Sequence, residues 1–194
     1  MVERMDEATG RVLAALDELG LARNTVVIFT SDNGGTASAR PSGLRDIKGS
    51  TFEGGIRVPC IVRWPGVLPA GFEYPHPAAT FDLSASIVRA AGIAQLPREG
   101  LDGVDILQRI AREEPPPARM LFWRGRRGQR TWLAVRDGAL KLVARVDGAR
   151  REEYLFDLER DPGEQANLLA DRRSDSERLR AALVAWEAAV APKR

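Results

Sequence analysis

The chain has 194 residues, 44% apolar and 29% charged, with a formal net charge of +2. That balance supports a real core and excludes a disordered or collagen-like chain, and no apolar stretch approaches the ~20 residues of a helical membrane span. One cysteine and one histidine exclude an internal disulfide and a histidine-rich metal cluster.

Met1–Asp6 lacks the apolar core of a signal peptide. Val2, Met5, Thr9, Val12, Leu13, Leu16 and Leu19 recur at helical spacing, and Gly20 suits a C-terminal cap. Thr25–Thr30 is β-branched and apolar without alternation, the pattern of a strand buried on both faces of a parallel sheet. Ser31–Ser50 reads as a polar loop, long enough to be functional or disordered. Ile56–Trp64 reads as a second strand, stopped by Pro65-Gly66. A helix is predicted over Thr80–Ala91, with Thr80 at its N-cap, Leu83, Ile87, Ala90 and Ala91 facing inward, and Gly92 ending it.

Glu113-Glu114-Pro115-Pro116-Pro117 marks a boundary, because three prolines can neither continue a helix nor join a central strand. Beyond it, Thr131–Arg136 and Ala139–Arg145 flank Asp137-Gly138, a strong hairpin signal. Tyr154–Leu158 adds a third strand, and Asp161-Pro162-Gly163-Glu164 a turn. Leu179, Leu183, Trp186 and Val190 mark one face of a final amphipathic helix. The expected organisation is an α/β segment at residues 1–112, with too few strands for a whole doubly wound sheet, then a small antiparallel sheet with a C-terminal helix at 118–194.

Charge is uneven. Residues 119–151 hold ten Arg/Lys against two Asp, and residues 152–187 hold ten Asp/Glu against five Arg. The basic stretch either attracts an anionic substrate or nucleic acid, or packs beside the acidic one. Its aromatics alternate like strand residues, which favours packing over a stacking platform, so no nucleic-acid partner is expected. Arg124–Arg130 is a short arginine–glycine tract that reads as a mobile loop.

Asp32-Asn33-Gly34 is ordinary turn chemistry when taken alone. At the carboxyl end of a strand, where open α/β sheets bind ligands, it is also a candidate ligand pair. A carboxylate and an amide carbonyl suit Ca²⁺, or Mg²⁺, rather than zinc, although calcium takes ~6–8 oxygens and two are too few. Lys48, between Ile47 and Gly49, is either a solvated side chain or a point charge facing a tetrahedral anion. Glu53 and Arg57 pair across Gly54-Gly55, either bracing that lysine or as a surface ion pair. Cys60, in an apolar strand, reads as a small buried hydrophobe with no activating partner. His76, in a proline-rich loop, reads as exposed and without a catalytic role.

Leu13-x-x-Leu16-x-x-Leu19-Gly20, Thr30-Ser31-Asp32-Asn33-Gly34-Gly35, Lys48-Gly49 and Glu53-Gly54-Gly55-Ile56-Arg57-Val58-Pro59 occur in this order, followed by Trp64-Pro65-Gly66, Phe81-Asp82-Leu83 and Leu101-Asp102-Gly103-Val104. Leu140-Lys141-Leu142, Leu155-Phe156-Asp157-Leu158, Asp161-Pro162-Gly163-Glu164 and Asn167-Leu168 complete the series. Over nearly its whole length the chain thus resembles the second half of a sulfatase of the arylsulfatase type. The resemblance implies a partial alkaline-phosphatase-like α/β sandwich at 1–112 and a small C-terminal sheet subdomain at 118–194. It implies that Asp32 and Asn33 are the later pair of calcium ligands, and that Lys48 is catalytic and substrate-binding, holding the sulfate and its leaving oxygen. The family's nucleophile is a formylglycine made within a Cys/Ser-x-Pro-x-Arg motif, and its members are often periplasmic, secreted or lysosomal.

This sequence departs from that pattern. Cys60-Ile61-Val62-Arg63 lacks the motif's proline, and no other segment supplies the nucleophile or the first acidic pair. The expectation is therefore the C-terminal part of a calcium-assisted sulfuric ester hydrolase, inactive alone, acting on a sulfate ester in the intact protein. Partners expected for the apolar strand at Val26–Phe29 are an upstream half or a second copy of the chain. The alternatives are a phosphate or phosphonate ester hydrolase of the same superfamily, a non-catalytic calcium-binding or interaction module, and a basic nucleic-acid binder.

Overall fold

The computed structural model describes residues 1–38, 43–93 and 100–190; residues 39–42 of the predicted loop and 191–194 of the C-terminal segment lie outside the described residues. Contacts group the chain into two compact units, Met1–Thr30 with Cys60–Pro117, and Ser31–Pro59 with Ala118–Arg194.

In the first unit, helix α1 spans Val2–Glu18, as its periodicity predicts. Gly20, at φ +68°, carries the chain out of the helix. No α1 residue is fully buried, and Met5 and Val12 lie on its exposed surface. Strand β1, Val27–Thr30, pairs antiparallel with β2, Cys60–Arg63, in the register Val27↔Arg63 to Thr30↔Cys60. The reading of β1 as a strand buried on both faces of a parallel sheet is corrected here: Val27, Ile28 and Phe29 are half-buried and Thr30 is exposed. A β-branched run reports strand propensity, but the direction of its partner is set by the connection. The second strand is also shorter than expected, because Glu53–Ile56 coils into a single helical turn, α2, which belongs to the second unit.

Helix α3, Thr80–Ala90, starts from Ala79 rather than Thr80, and its buried residues are Asp82, Ala85 and Ser86. Ile87 and Ala90, expected inside, are exposed, and Leu83 is only half-buried. Hydrogen bonding turns the helix. The Asp82 carboxylate accepts from Ala79 N–H at 2.7 Å and from Val104 N–H at 3.0 Å. Ser86 Oγ accepts from Ile106 N–H at 3.0 Å and donates to Asp82 O. Buried polar groups must be satisfied, so this face is held against the start of α4, Ile106–Ala111.

The second unit is built on a four-stranded antiparallel meander: β3 (Met120–Arg127), β4 (Arg130–Asp137), β5 (Leu140–Asp147) and β6 (Arg150–Asp157). Each connection is a two-residue loop opening on glycine: Gly128, Gly138 and Gly148 have φ of +61°, +57° and +60°. Positive φ at that first position suits the right-handed twist of the hairpins. The tract Arg124–Arg130, expected to be a mobile loop, is therefore the end of β3, a tight turn and the start of β4.

Alternation along β4 and β5 sends side chains to two covered faces. Leu133, Val135, Leu142, Ala144 and Leu155 pack under Leu179 and Leu183 of α5, Arg173–Val190, with Trp186 at the edge. Val190, placed on the inner face by its spacing, is exposed. On the opposite face Trp132, Ala134, Val143, Phe156 and Leu158 meet Phe52, which comes from the 31–59 segment. Phe52 stands edge-on to Trp132 at 5.7 Å and to Tyr154 at 5.6 Å. Burying it contributes about 2–3 kcal/mol and sets that segment on the sheet. The basic and acidic segments do meet: Arg145–Glu152, Arg151–Glu153 and Arg178–Asp137 are ion pairs between them. Among the described residues, no helix is long and apolar enough to cross a membrane.

Candidate active site

Three stretches of backbone converge on the 31–59 segment. Lys48 N–H donates to Gly35 O at 2.8 Å, Gly34 N–H to Gly55 O at 3.0 Å, and Gly54 N–H to Arg45 O at 2.8 Å. The approach is too close for side chains. A Cβ on Gly34 would lie 2.1 Å from Gly54 O, and one on Gly54 would lie 2.1 Å from Asp46 O. Gly34, Gly54 and Gly55 thus let backbone press on backbone, locking the Asp32-Asn33 turn to the Lys48 turn.

On this clamp Asp32 and Lys48 are exposed and Asn33 is half-buried. Ser31 Oγ donates to Asn33 O at 2.9 Å and tightens the turn. Lys48 opens onto a cleft of about 700 Å³ that also includes Arg127 and Gln129 of the β3–β4 turn. The chemistry of Asp32 and Asn33 suits a hard cation, but they supply two side-chain oxygens, and no group of three or more His, Cys, Asp or Glu among the described residues could hold a metal ion. The residues present match calcium in donor type and fall short of it in number.

The expected bracing of Lys48 by Glu53 and Arg57 is replaced by something different. Arg57 sits 3.8 Å from Glu53, but the shorter contact of Glu53 is with Lys141, whose Nζ donates to Glu53 Oε1 at 2.7 Å. The same ammonium lies 2.9 Å from Glu164 Oε1. Glu164 Oε2 in turn accepts from Glu53 N–H at 2.7 Å, and Arg45 donates to Glu164 O at 2.9 Å. The Arg45 guanidinium lies 4.4 Å from the Phe52 ring centroid and 4.8 Å from that of Tyr154. The side chains of Lys141 and Glu164 are 0% exposed and that of Glu53 is 5%. Burial pushes the Glu164 carboxyl above its usual range, and the neighbouring Lys141 ammonium pulls it partway back. This network ties α2, and with it Gly54-Gly55, to the sheet. Its signal was in the sequence: Lys141 stands among the apolar residues Leu140, Leu142, Val143 and Ala144.

Cys60 is also corrected. It is exposed at the start of β2, not buried in a core. Partial desolvation still raises its thiol pKa, and a hydrogen bond from Thr30 offsets some of the rise. His76 is exposed, as its proline-rich loop implies.

The sulfatase family model matches residues 1–93. Mouse (Mus musculus) steryl-sulfatase is 46% identical over 117 residues, covering 55% of this chain and 19% of that protein. Bovine (Bos taurus) arylsulfatase A is 35% identical over 191 residues, covering 85% of this chain and 37% of that protein. The crystal structure of Ps i-CgsB in complex with k-i-k-neocarrahexaose superposes with a TM-score of 0.85 at 28% identity, over 96% of this chain and 41% of that one. The chain thus spans about two fifths or less of the length of these proteins. The expected class, a partial alkaline-phosphatase-like α/β fold with an antiparallel sheet and C-terminal helix, agrees with these likenesses and with the elements described above. The chain belongs to the sulfatase family.

Proposed function

We propose that this chain supplies the leaving-oxygen side and part of the cation site of a sulfuric ester hydrolase, with the division into a catalytic part at 1–112 and a C-terminal subdomain at 118–194. Asp32 and Asn33 would hold calcium together with oxygens from elsewhere in the intact protein, and Lys48 would contact the sulfate. Calcium, when bound, would neutralise charge on the sulfate oxygens. Lys48 acts where charge grows as the sulfur–oxygen bond breaks, so its ammonium stabilises the transition state more than the ground state. The nucleophile, a formylglycine in this reading, lies outside these residues, and the chain alone does not turn over.

The observation that supports the reading is the hydrogen bond from Lys48 N–H to Gly35 O at 2.8 Å. It ties the lysine turn to the residues that follow Asp32-Asn33, so that a cation and an anion held there would be neighbours. The test is to express the chain with a sulfatase segment carrying Cys/Ser-x-Pro-x-Arg and to follow hydrolysis of an aryl sulfate. Turnover is expected to require calcium and to fall about 10²-fold in Lys48→Ala. Turnover by the isolated chain, or turnover unchanged by Lys48→Ala, would sink the assignment.

A further inference from the structure

The cleft beside Lys48 carries more positive charge than one sulfate ester needs. Four cationic side chains line it, Lys48, Arg127, Arg130 and Arg145, against two acids, Asp46 and Asp147. Two of the cations are already engaged. Arg130 pairs with Asp147 at 2.7 Å, and Arg145 pairs with Glu152 at 2.5 Å while lying 5.6 Å from the Trp132 ring centroid. Asp46 is partly committed too, its Oδ1 accepting from Ile47 N–H at 2.8 Å. Among the described residues, Lys48 and Arg127 pair with no carboxylate.

These two cations are neighbours by construction. The stem of Arg127 lies over Gly49, so that a Cβ there would sit 3.3 Å from Arg127 Cδ. Gln129, in the same turn, adds an amide able to meet hydroxyl groups. A cleft of about 700 Å³ is far larger than a single tetrahedral anion requires. A guanidinium in such a cleft with no carboxylate partner among the described residues, as Arg127 is, favours planar, bidentate contact with an oxyanion.

We propose that Arg127 and Gln129 form a second anion subsite beside Lys48, so that the preferred substrate is a polyanionic ester, a multiply sulfated saccharide, rather than a monosulfate on an apolar body. The proposal rests on Lys48 being the contact for the reacting sulfate. Arg127 would read a second sulfate on the same molecule, and Gln129 the hydroxyls between them. Asp46 and the Arg130–Asp147 pair would limit the surface to a discrete site, disfavouring indiscriminate binding of long polyanions.

The experiment measures dissociation constants of the full chain, at low ionic strength, for a monosulfated and a disulfated form of one disaccharide. The disulfated form should bind about ten times more tightly. Arg127→Gln should weaken it roughly five-fold and leave the monosulfated form unchanged, since an exposed charged contact is worth on the order of 1 kcal/mol. Lys48→Ala should weaken both. Arg127→Gln without effect, or with an equal effect on both ligands, overturns the subsite while leaving Lys48 in place. Lys48→Ala without effect overturns the reading beneath it. No binding of either sugar, or an oligonucleotide competing on equal terms with the disulfated sugar, overturns the subsite as well.

Discussion

Removing the Lys141 ammonium should unfasten the candidate site from the sheet. In Lys141→Met the side chain keeps its length and loses its charge, leaving Glu53 and Glu164 facing each other in a closed space. The contacts at 2.7 and 2.9 Å are each worth about 6 kcal/mol of Coulomb energy at an effective dielectric near 20, most of it offset by the cost of desolvating the charges. What remains on breaking such a group is a loss of about 3–5 kcal/mol, because the stranded carboxylates keep the desolvation cost without the attraction. The effect should depend on pH in a definite direction. Glu164 has a folded pKa above its ordinary value, so its contribution to stability is present below that ordinary value and is lost as pH rises through the raised one. Without Lys141 the pKa climbs further, so the destabilisation by Lys141→Met should be larger at pH 8 than at pH 5. Urea unfolding followed by tryptophan fluorescence reports mainly on this unit, which contains Trp123, Trp132 and Trp186, with Trp64 in the other. Hydrogen exchange at Lys48 N–H should accelerate in the same variant, since Glu53 anchors the turn that clamps it. A loss below about 1 kcal/mol at pH 8, or a loss that grows toward acid, would refute this account of the network.

Gly54→Ala should cost more than about 3 kcal/mol, since its Cβ would meet Asp46 O at 2.1 Å, whereas Gly10→Ala, with nothing within 4 Å, should stabilise by about 0.5–1 kcal/mol; equal effects in urea titrations would contradict the close backbone approach. The Glu153 carboxyl is pushed up by burial but brought below its usual value overall by hydrogen bonds from Arg180 and Arg151. Its contribution is present above the ordinary carboxylate value and is lost as pH falls through the depressed one, so Arg180→Gln should cost, after solvent screening, about 0.5–1 kcal/mol at pH 7 and nothing at strongly acidic pH; a cost independent of pH in denaturant titrations would rule the pair out.

What the residues disclose depends on how local the deciding physics is. Helix α1, the face of α5 at Leu179 and Leu183, and the Asp137-Gly138 turn follow from spacing and turn chemistry within a few residues. Gly34, Gly54 and Gly55 meet backbone from separate stretches of the chain, which no local pattern discloses. The failures are non-local. An apolar run does not name its partner, so β1 reads as parallel from its residues and pairs antiparallel with β2. Apolarity points to one inward face of α3, while the structure buries Asp82 and Ser86 because the backbone at 104–107 needs their oxygens. Lys141 and Glu164 are 23 positions apart, and only the meander and the turn after it bring them onto one ammonium–carboxylate contact.

The position of Lys141 also explains why the C-terminal sheet matters to Asp32, Asn33 and Lys48, which none of its strands carries. Phe52 contributes most of the apolar attachment between the 31–59 segment and the sheet, but apolar contact is non-directional and tolerates sliding. A lysine in the role proposed for Lys48 would need placement to within about half an ångström. The hydrogen bonds of Glu53 and Arg45 to Glu164, and of Lys141 to Glu53, have direction as well as strength. They fix α2 along the sheet, α2 holds Gly54-Gly55, and Gly55 O holds Gly34 N–H. Replacing the ionic group with apolar side chains would preserve burial and surrender that register. In the proposed function the sheet would serve to aim Lys48, through a chain of contacts in which each member bonds to the next.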